Sequence, residues 1–504
     1  MVGNVESTSL IVTRRTYGLS KSKLLSWLQC PKRLWLETHR PEIAAPREGV
    51  EQLFTIGHDV GRLAQRLQRS GVLIGSQDNL SNALAETSAQ VAAGTDTLFE
   101  PTFQYGDVLV RVDILKRRKN GYQIREVKAS ASVKDHHLQD AAIQAWVLHG
   151  AGVKVNSVRI QHINTRFVYP GGQDYRGLFV QQGVGSEIRA LTKDVPKWVA
   201  EAQGTLAGHE PKREVGKHCH KPYDCPYLDH CAPKEQRTEY PLSILRFGAM
   251  ALAKLVAEGY RDVRDIPAER ITEKQNRIWR VSKSGKWELD PTAKTVMSKF
   301  PYPRYHLDFE TIGFPIPIWP GTRPYQQVPF QFSCHIERGT GEPEHQKYLD
   351  TTGNPPMQGI ADALVDSLGD NGPIFSHNAK FEQGRLEDLA KLVPQRARQL
   401  RTLIARSVDT LTLTKSYYYH PAMKGSWSLK ALLPTVAPEL DYQNVGEVQK
   451  GGEVAAAYVE IVSADTSNER KAELRAALER YCERDTLATL RITRFLETGN
   501  SGHG

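Results

Sequence analysis

The sequence predicts an α/β protein of more than one domain. Three observations carry that expectation. The chain has 504 residues, more than one ordinary hydrophobic core fills. Two separate stretches, at 107–128 and 306–311, alternate apolar and polar residues as strands do. The run Leu474, Leu478, Tyr481, Asp485, Ala488, Ile492, Phe495 has the three-and-four spacing of one helix face. Domains are expected over 16–235, 236–300 and 301–496, the middle one a helical linker module, with 497–504 a disordered tail.

Composition narrows the class. Hydrophobic residues make up 40% and charged residues 24%, ordinary values for a globular protein. The net charge of +9 suits a polyanionic partner such as nucleic acid without specifying one. No apolar run approaches the roughly 18–20 residues that cross a bilayer. Met1–Arg15 reads as loose and lacks the apolar core of a signal peptide. A cytoplasmic protein with no membrane partner is expected. Structural disulfides are rare in that compartment, so the six cysteines need another use.

From the N-terminal side, Leu24–Leu36 reads as helical, with Ser20 as N-cap, Cys30 inside and Pro31 able to start a second turn. Phe54–Leu67 reads as an amphipathic helix with Gly57, His58 and Gly61 near its start, His58 as a packing residue. Asp107–Leu115 reads as a strand, Lys116–Gly121 as a turn with an Asn-Gly signal, and Tyr122–Lys128 as the return strand. Glu126 and Lys128 share a face, and Asp113 ends the facing strand. A helix from about His137 to Leu148 carries Gln139, Asp140 and Gln144. A surface ion pair on a hairpin gives the same Glu126-x-Lys128 spacing.

Taken together, Asp113, Glu126-x-Lys128 and Gln144 resemble the PD-(D/E)XK nucleases in their RecB-like branch, which have a restriction-endonuclease-like fold. The resemblance implies that Asp113 and Glu126 bind a divalent metal, Mg²⁺ or Mn²⁺, that Lys128 positions or activates water, and that Gln144 helps hold the site. Such nucleases often place a metal-binding His four residues after a Gly in an upstream helix. Counted from Gly57 that position is Gly61, and His58 is out of register, so activity is less expected than the fold.

Cys219, Cys225 and Cys231 follow in a loop, five residues between successive cysteines, and Cys30 supplies a fourth thiol. Thiolates suit iron–sulfur clusters or zinc. One early cysteine and three after the nuclease core resemble the iron–sulfur nucleases among RecB-like proteins. That resemblance implies a 4Fe–4S cluster stapling the two ends of the domain. Zinc, with help from His218, His220 or His230, is the alternative, although the close C-x-x-C spacing of structural zinc is missing. Cys334 and Cys482 read as ordinary thiols.

Leu242–Glu258 reads as a helix stopped by Gly259, and Arg270–Val281 as a basic segment of the linker or a contact for nucleic-acid backbone. Then comes His306-Leu307-Asp308-Phe309-Glu310-Thr311, a short strand with Asp308 and Glu310 on one face. Two adjacent carboxylates repel unless a cation sits between them, and a divalent metal is the simplest such cation. Two solvated acids at a sheet edge fit the same pattern. The loop Pro315–Pro324 leads to a second strand, Phe330–Ile336. Trp319 in that loop, and Tyr417, Tyr418, Tyr419 and Trp427 later, either stack on bases or pack. Ser376-His377-Asn378-Ala379-Lys380-Phe381-Glu382 reads as a strand end entering a helix. Asp485 lies on an apolar helix face one turn after Tyr481, and a buried carboxylate there must be paired, protonated or metal-bound.

Asp308-x-Glu310, Asn378-x-x-Phe381-Glu382 and Tyr481-x-x-x-Asp485, in this order over 301–496, resemble the DEDD exonucleases in their tyrosine-bearing branch, which have an RNase H-like fold. The resemblance implies a 3′→5′ exonuclease in which Asp308, Glu310, Glu382 and Asp485 hold two metals and Tyr481 orients the attacking water. The third acid is usually Asp in that family. Here it is Glu382, with Asp409 as the competing residue. The two resemblances imply a nuclease acting on DNA, with single-stranded ends as substrate, in repair or defence. The alternatives are a nucleic-acid-binding scaffold with an inactive RecB-like half and an enzyme trimming RNA 3′ ends.

Overall fold

A computed structural model of the protein describes residues 18–46, 50–75, 79–232, 238–339, 341–440, 448 and 451–500. The chain divides into two compact units, 1–234 and 235–504, and each mixes helices with sheet. The α/β expectation holds at that level. The expected loose stretch 1–15 lies outside the described residues.

The first unit has a six-stranded sheet in the order Val72–Leu73, Thr97–Phe99, Ile114–Arg118, Gly121–Lys128, Val155–Ile163, Phe179–Gly183. Helix Asp135–Gly150 carries the chain from Gly121–Lys128 to the parallel strand Val155–Ile163, as a crossover between parallel strands requires. Leu98, Leu115, Ile124, Ala141, Ile143, Val147 and Ile160 form its buried centre. Each fully buried Leu, Ile or Val side chain there contributes about 1.5–3 kcal/mol.

Three local expectations are corrected here. The stretch 107–115 is not one strand. Val108–Arg111 belongs to a separate three-stranded sheet with Leu19–Ser20 and Thr102–Tyr105, and Ile114 starts a strand of the large sheet. The chain changes sheets at Val112–Asp113, and the Asp113 carboxylate secures the break by accepting the Val127 N–H at 2.6 Å. The helical stretch 24–36 is two helices, Lys21–Gln29 and Pro31–His39, with Cys30 extended between them. Pro31 has no N–H to continue the first helix, so it starts the second. Ser20 caps the first, accepting the Lys23 N–H at 3.3 Å. His58, on helix Val50–Arg66, is exposed and does not pack.

The second unit is built on a five-stranded sheet ordered Glu344–Leu349, Val328–Glu337, Arg304–Ile312, Ile374–Ser376, Ser407–Asp409. The first three strands alternate in direction along the sheet, and the last two run parallel to Arg304–Ile312. Every residue of Val328–Glu337 is buried, because both faces of this strand are covered. Phe330, Phe332, Cys334 and Ile336 join one apolar core with Ile360 and Leu364 of helix Met357–Leu368. Gln331, Ser333, His335 and Glu337 alternate onto the other, polar face.

Helix Asn468–Thr498 crosses that polar face. Ser467 caps its start and Gly499, at φ 76°, ends it in the left-handed conformation. Two ion pairs hold its last turns. Arg494 donates to Glu337 at 2.7 Å, and Glu337 also meets His306 Nε2 at 2.8 Å. Arg304 donates to both oxygens of Glu497 at 2.6 and 3.0 Å. Residues 497–498, expected in a disordered tail, are therefore helical and anchored. Residues 501–504 lie outside the described residues.

Between 238 and 300 the chain is mainly helical, with one short strand, Glu288–Leu289, and Leu242–Glu258 is not one helix. It is a short 3₁₀ turn, Leu242–Leu245, and a helix, Ala249–Ala257, separated where Arg246 adopts the left-handed conformation. Leu242, Ile278, Val281 and Met297 share a core with Phe375, Tyr418, Tyr419 and Phe495 inside the same unit. Tyr418, Tyr419 and Trp319 are thus packing residues. Trp319 is buried and its indole donates to the Gly353 carbonyl at 3.1 Å. Trp427 is half-buried and, with Lys274, Arg277, Arg280 and Lys415, lines an open groove beside helix Glu273–Ser284.

Candidate functional site

The strand Arg304–Ile312 puts Asp308 and Glu310 on the face beneath helix Asn468–Thr498. That helix supplies Tyr481, Cys482 and Asp485, all buried. Ser376 Oγ donates to the Leu307 carbonyl at 2.8 Å, fixing the strand end from which Glu382 follows in the first turn of helix Lys380–Leu392. The structure brings Asp308, Glu310, Glu382 and Asp485 into one electrostatic cluster. Burial raises the Asp308 carboxyl well above its ordinary range, and Asp485, Glu310 and Glu382 raise it further. Burial and then Asp485 do the same to Glu310. Tyr481 is pushed up by burial and by Asp485, Glu310 and Asp308, so its phenol stays protonated.

Glu382 and Asp409 are now distinguishable. Asp409 is fully employed as a cap: Oδ1 accepts the N–H groups of Asn378, Ala379 and Leu411 at 2.9, 3.3 and 3.1 Å, and Oδ2 accepts the Thr412 hydroxyl. Burial opposes its charge, but these bonds outweigh it and hold the carboxyl below the usual range. Glu382 has a buried Oε2 without a hydrogen-bond partner, and burial lifts its pKa to about 8. An orphaned buried carboxylate oxygen, in a cluster where every charge acting on Asp308 is another carboxylate, fits hard divalent cations such as Mg²⁺ or Mn²⁺. Asp308, Glu310, Glu382 and Asp485 are the residues that would hold them.

Cys482, read as an ordinary thiol, is part of this site. Its sulfur and the Asp308 and Glu310 carboxylates lie within 4.8 Å of one another. Its place in the sequence, beside Tyr481 and three residues before Asp485, is the signal that could have found it.

The cluster makes a stability prediction. Three native carboxyls with raised pKa keep protons that the unfolded chain loses above about pH 4.5. The metal-free protein should therefore lose stability as pH rises from about 5 through 8, by about 1.4 kcal/mol per pH unit for each proton retained. Mn²⁺ or Mg²⁺ should cancel the loss by replacing those protons. Melting curves across pH with chelator and with metal check this, and a chelated protein equally stable at pH 5 and 8 contradicts it.

In the first unit Asp113, Glu126, Lys128 and Gln144 also come together, with two additions. Lys128 Nζ donates to Glu126 Oε1 at 2.8 Å and to Asp140 Oδ2 at 2.6 Å. Gln144 Nε2 donates to Glu126 Oε2 at 2.7 Å and to Asp140 Oδ1 at 2.8 Å. Lys21, from the start of the first helix, lies 2.8 Å from Glu126 Oε1 and 3.3 Å from Asp140 Oδ1. Burial opposes the charge on Lys21, but Asp140 and Glu126 outweigh it and keep the ammonium charged. Burial and Glu126 raise the Asp113 carboxyl well above its usual range, against the opposing pull of Lys21 and Lys128. Two ammonium groups thus already pair with the Glu126 and Asp140 carboxylates. A divalent ion meets occupied carboxylates here, and the residues fit it less well than the second unit's acids do. Asp140 was in view as a helix residue, but Lys21 gave no signal, since its partner Glu126 is 105 residues away.

Cys30, Cys219, Cys225 and Cys231 line one cavity together with Lys32, Arg33, Arg213 and His218. Gln29 ties the first helix to the cysteine loop, donating to the carbonyls of His218 and Tyr223 at 2.8 and 2.7 Å. His220 and His230 are engaged elsewhere, with Asp224 at 2.7 Å and Glu210 at 3.0 Å. Burial pushes the Cys225 and Cys231 thiols up, while Arg33 and Lys32 favour their thiolates. Among the described residues, no three of these sulfurs come within 4.8 Å of one another. A tetrahedral zinc with Zn–S of ~2.3 Å would bring its thiolates to about 3.8 Å. Four thiols spread around a cationic cavity fit a 4Fe–4S cluster better than one zinc.

Residues 305–428 match the family described as "Domain of unknown function (DUF2779)". The match takes in Asp308, Glu310, Glu382 and Asp409 and stops short of Tyr481 and Asp485. The chain is also similar to the "Uncharacterized protein MG366 homolog" of Mycoplasma pneumoniae, at 22% identity over 223 residues, 40% of this chain. It spans 33% of that relative's length. No helix among the described residues is long and apolar enough to cross a membrane.

Proposed function

We propose that the protein is a metal-dependent nuclease whose second unit removes nucleotides from 3′ ends of nucleic acid, DNA first among substrates, in repair or defence. The observation that carries this reading is the convergence of Asp308, Glu310, Glu382 and Asp485 beside a protonated Tyr481. Bound divalent cations supply a Lewis acid and a water of lowered pKa. The chain's own groups do the rest. Asp308 and Glu310, fixed on a central strand, would hold those cations. Glu382 and Asp485 would add carboxylate oxygens from two helices. The Tyr481 phenol donates a hydrogen bond that orients the attacking water. The sheet order, three antiparallel strands followed by two parallel to the strand that bears Asp308, supports an RNase H-like fold.

For the first unit, Lys21 favours the reading as a nucleic-acid-binding scaffold of PD-(D/E)XK type, held by its cysteine cluster. End-labelled single-stranded DNA and RNA, digested with Mg²⁺ or Mn²⁺, test both readings. The 3′→5′ reading requires a ladder from the 3′ end that a 3′-phosphate blocks and a 5′ block does not; the opposite pattern refutes it. A preference for RNA moves the proposal to 3′-end trimming of RNA. Lys128→Ala should leave every product unchanged, and disappearance of one product would make the first unit a second nuclease.

A further inference from the structure

The polar face of the second unit's sheet carries another group of ligand atoms. His335 and His345 oppose each other across the antiparallel strands Val328–Glu337 and Glu344–Leu349. Their rings stack with centroids 4.6 Å apart. Glu483, on helix Asn468–Thr498, closes the third side, its Oε1 3.8 Å from His345 Nδ1. One ligand atom from each of the three lies within 4.8 Å of the other two.

The outer nitrogens of the two rings are held by a chain of hydroxyls. His345 Nε2 lies 2.8 Å from Ser333 Oγ, and His335 Nδ1 lies 2.9 Å from Thr486 Oγ1. The hydroxyls are 2.8 Å from each other, and Thr486 Oγ1 is 3.0 Å from the Glu483 carbonyl. One proton order satisfies every contact. His345 Nε2–H donates to Ser333, Ser333 donates to Thr486, His335 Nδ1–H donates to Thr486, and Thr486 donates to the carbonyl. Each hydroxyl proton is used once. That order leaves His345 Nδ1 and His335 Nε2 as lone pairs. Burial keeps both rings neutral: it and the neighbouring His345 bring His335 to about 3, and it lowers His345 as well. Neutral imidazoles whose second nitrogen is fixed by a hydrogen bond are the state in which histidine binds metal.

We propose that His335, His345 and Glu483 form a second cation site, for a borderline transition metal of the zinc class, with water as fourth ligand. Two imidazoles and one carboxylate select such an ion over Mg²⁺, which the all-carboxylate cluster suits. The Glu483 side chain is 44% exposed, so an ion enters from solvent and the carboxylate moves onto it. The ligand atoms then draw in to about 3.3 Å, the edge of a tetrahedron with ~2.0 Å bonds. Glu344–Leu349 is the edge strand of the sheet. The ion pins that edge to the helix that carries Tyr481 and Asp485.

The test is calorimetric titration of the full-length protein with Zn²⁺, in excess Mg²⁺ so that the carboxylate cluster is filled. One site is expected that survives Cys225→Ser. His345→Ala and Glu483→Gln, both at partly exposed positions, should each abolish it without changing the circular dichroism. Ser333→Ala keeps all three ligands and loses only the outer hydrogen bond, so it should weaken binding by about 10–100-fold. The proposal is overturned if the wild type takes up no Zn²⁺ in Mg²⁺, if uptake is lost in Cys225→Ser alone, or if His345→Ala binds as tightly as the wild type.

Discussion

Asp308→Asn should abolish 3′ trimming and at the same time raise the melting temperature of the metal-free protein. The two effects share one cause. Asp308 is half-buried beside Asp485, Glu310 and Glu382, and in the absence of a cation these groups disfavour its charged form. An amide needs no proton to sit there, so the substitution removes the cost of keeping the acid protonated and also removes a central metal ligand. Loss of several kcal/mol of transition-state stabilisation corresponds to a rate decrease of roughly a thousandfold or more. Tyr481→Phe should retain metal-dependent stabilisation and lose only about 10–100-fold in rate, since a single hydrogen bond to water is removed. Glu382→Gln should behave like Asp308→Asn. Asp409→Asn should mainly destabilise, because Asp409 spends its oxygens on four cap hydrogen bonds. End-labelled digestion and thermal melting of the same preparations separate these outcomes. Trimming that persists in Asp308→Asn removes the exonuclease assignment.

Cys225→Ser should bleach an anaerobically purified brown protein and destabilise its first unit. A cluster on Cys30, Cys219, Cys225 and Cys231 closes a loop of roughly 190 residues, and a cross-link of that span stabilises by about 5 kcal/mol in the chain-entropy picture. Limited proteolysis should then cut within residues 18–232 while the second unit stays resistant. Iron and sulfide analysis with visible absorption is the direct measurement. A colourless protein containing one zinc would reverse the choice between cluster and zinc.

How much of this was legible in the sequence depended on the range of each interaction. The strand bearing Asp308 and Glu310 and the helix face bearing Tyr481 and Asp485 announce themselves through local periodicity, because side-chain direction follows from spacing alone. Glu382 over Asp409 was not decidable from spacing. The decision rests on the N–H groups of Asn378 and Ala379, which turn toward Asp409 only when the two parallel strands pair. The stretch 107–115 looked like one strand because apolar alternation continues through it, and the Asp113–Val127 bond that splits it joins two separate segments. Lys21 and the His335–His345 pair were invisible for a related reason. Strand register and contacts over a hundred residues are properties of the folded chain, and no local pattern encodes them.

The helix Asn468–Thr498 has a consequence of its own. At 31 residues it is an unbroken rod of about 46 Å. It carries Tyr481, Glu483 and Asp485 in its middle and is gripped at its far end by Glu337 and Arg304. A rod cannot adjust one reacting group without moving the others. A slip of one residue at the grip would turn the whole shaft by about 100° and carry Asp485 out of the acid cluster. The distant ion pairs therefore act as an index pin, setting the angular position of residues they never touch. Sequence changes near residue 494 reach the chemistry as a rotation, a kind of mutation that a map of the site alone would score as remote.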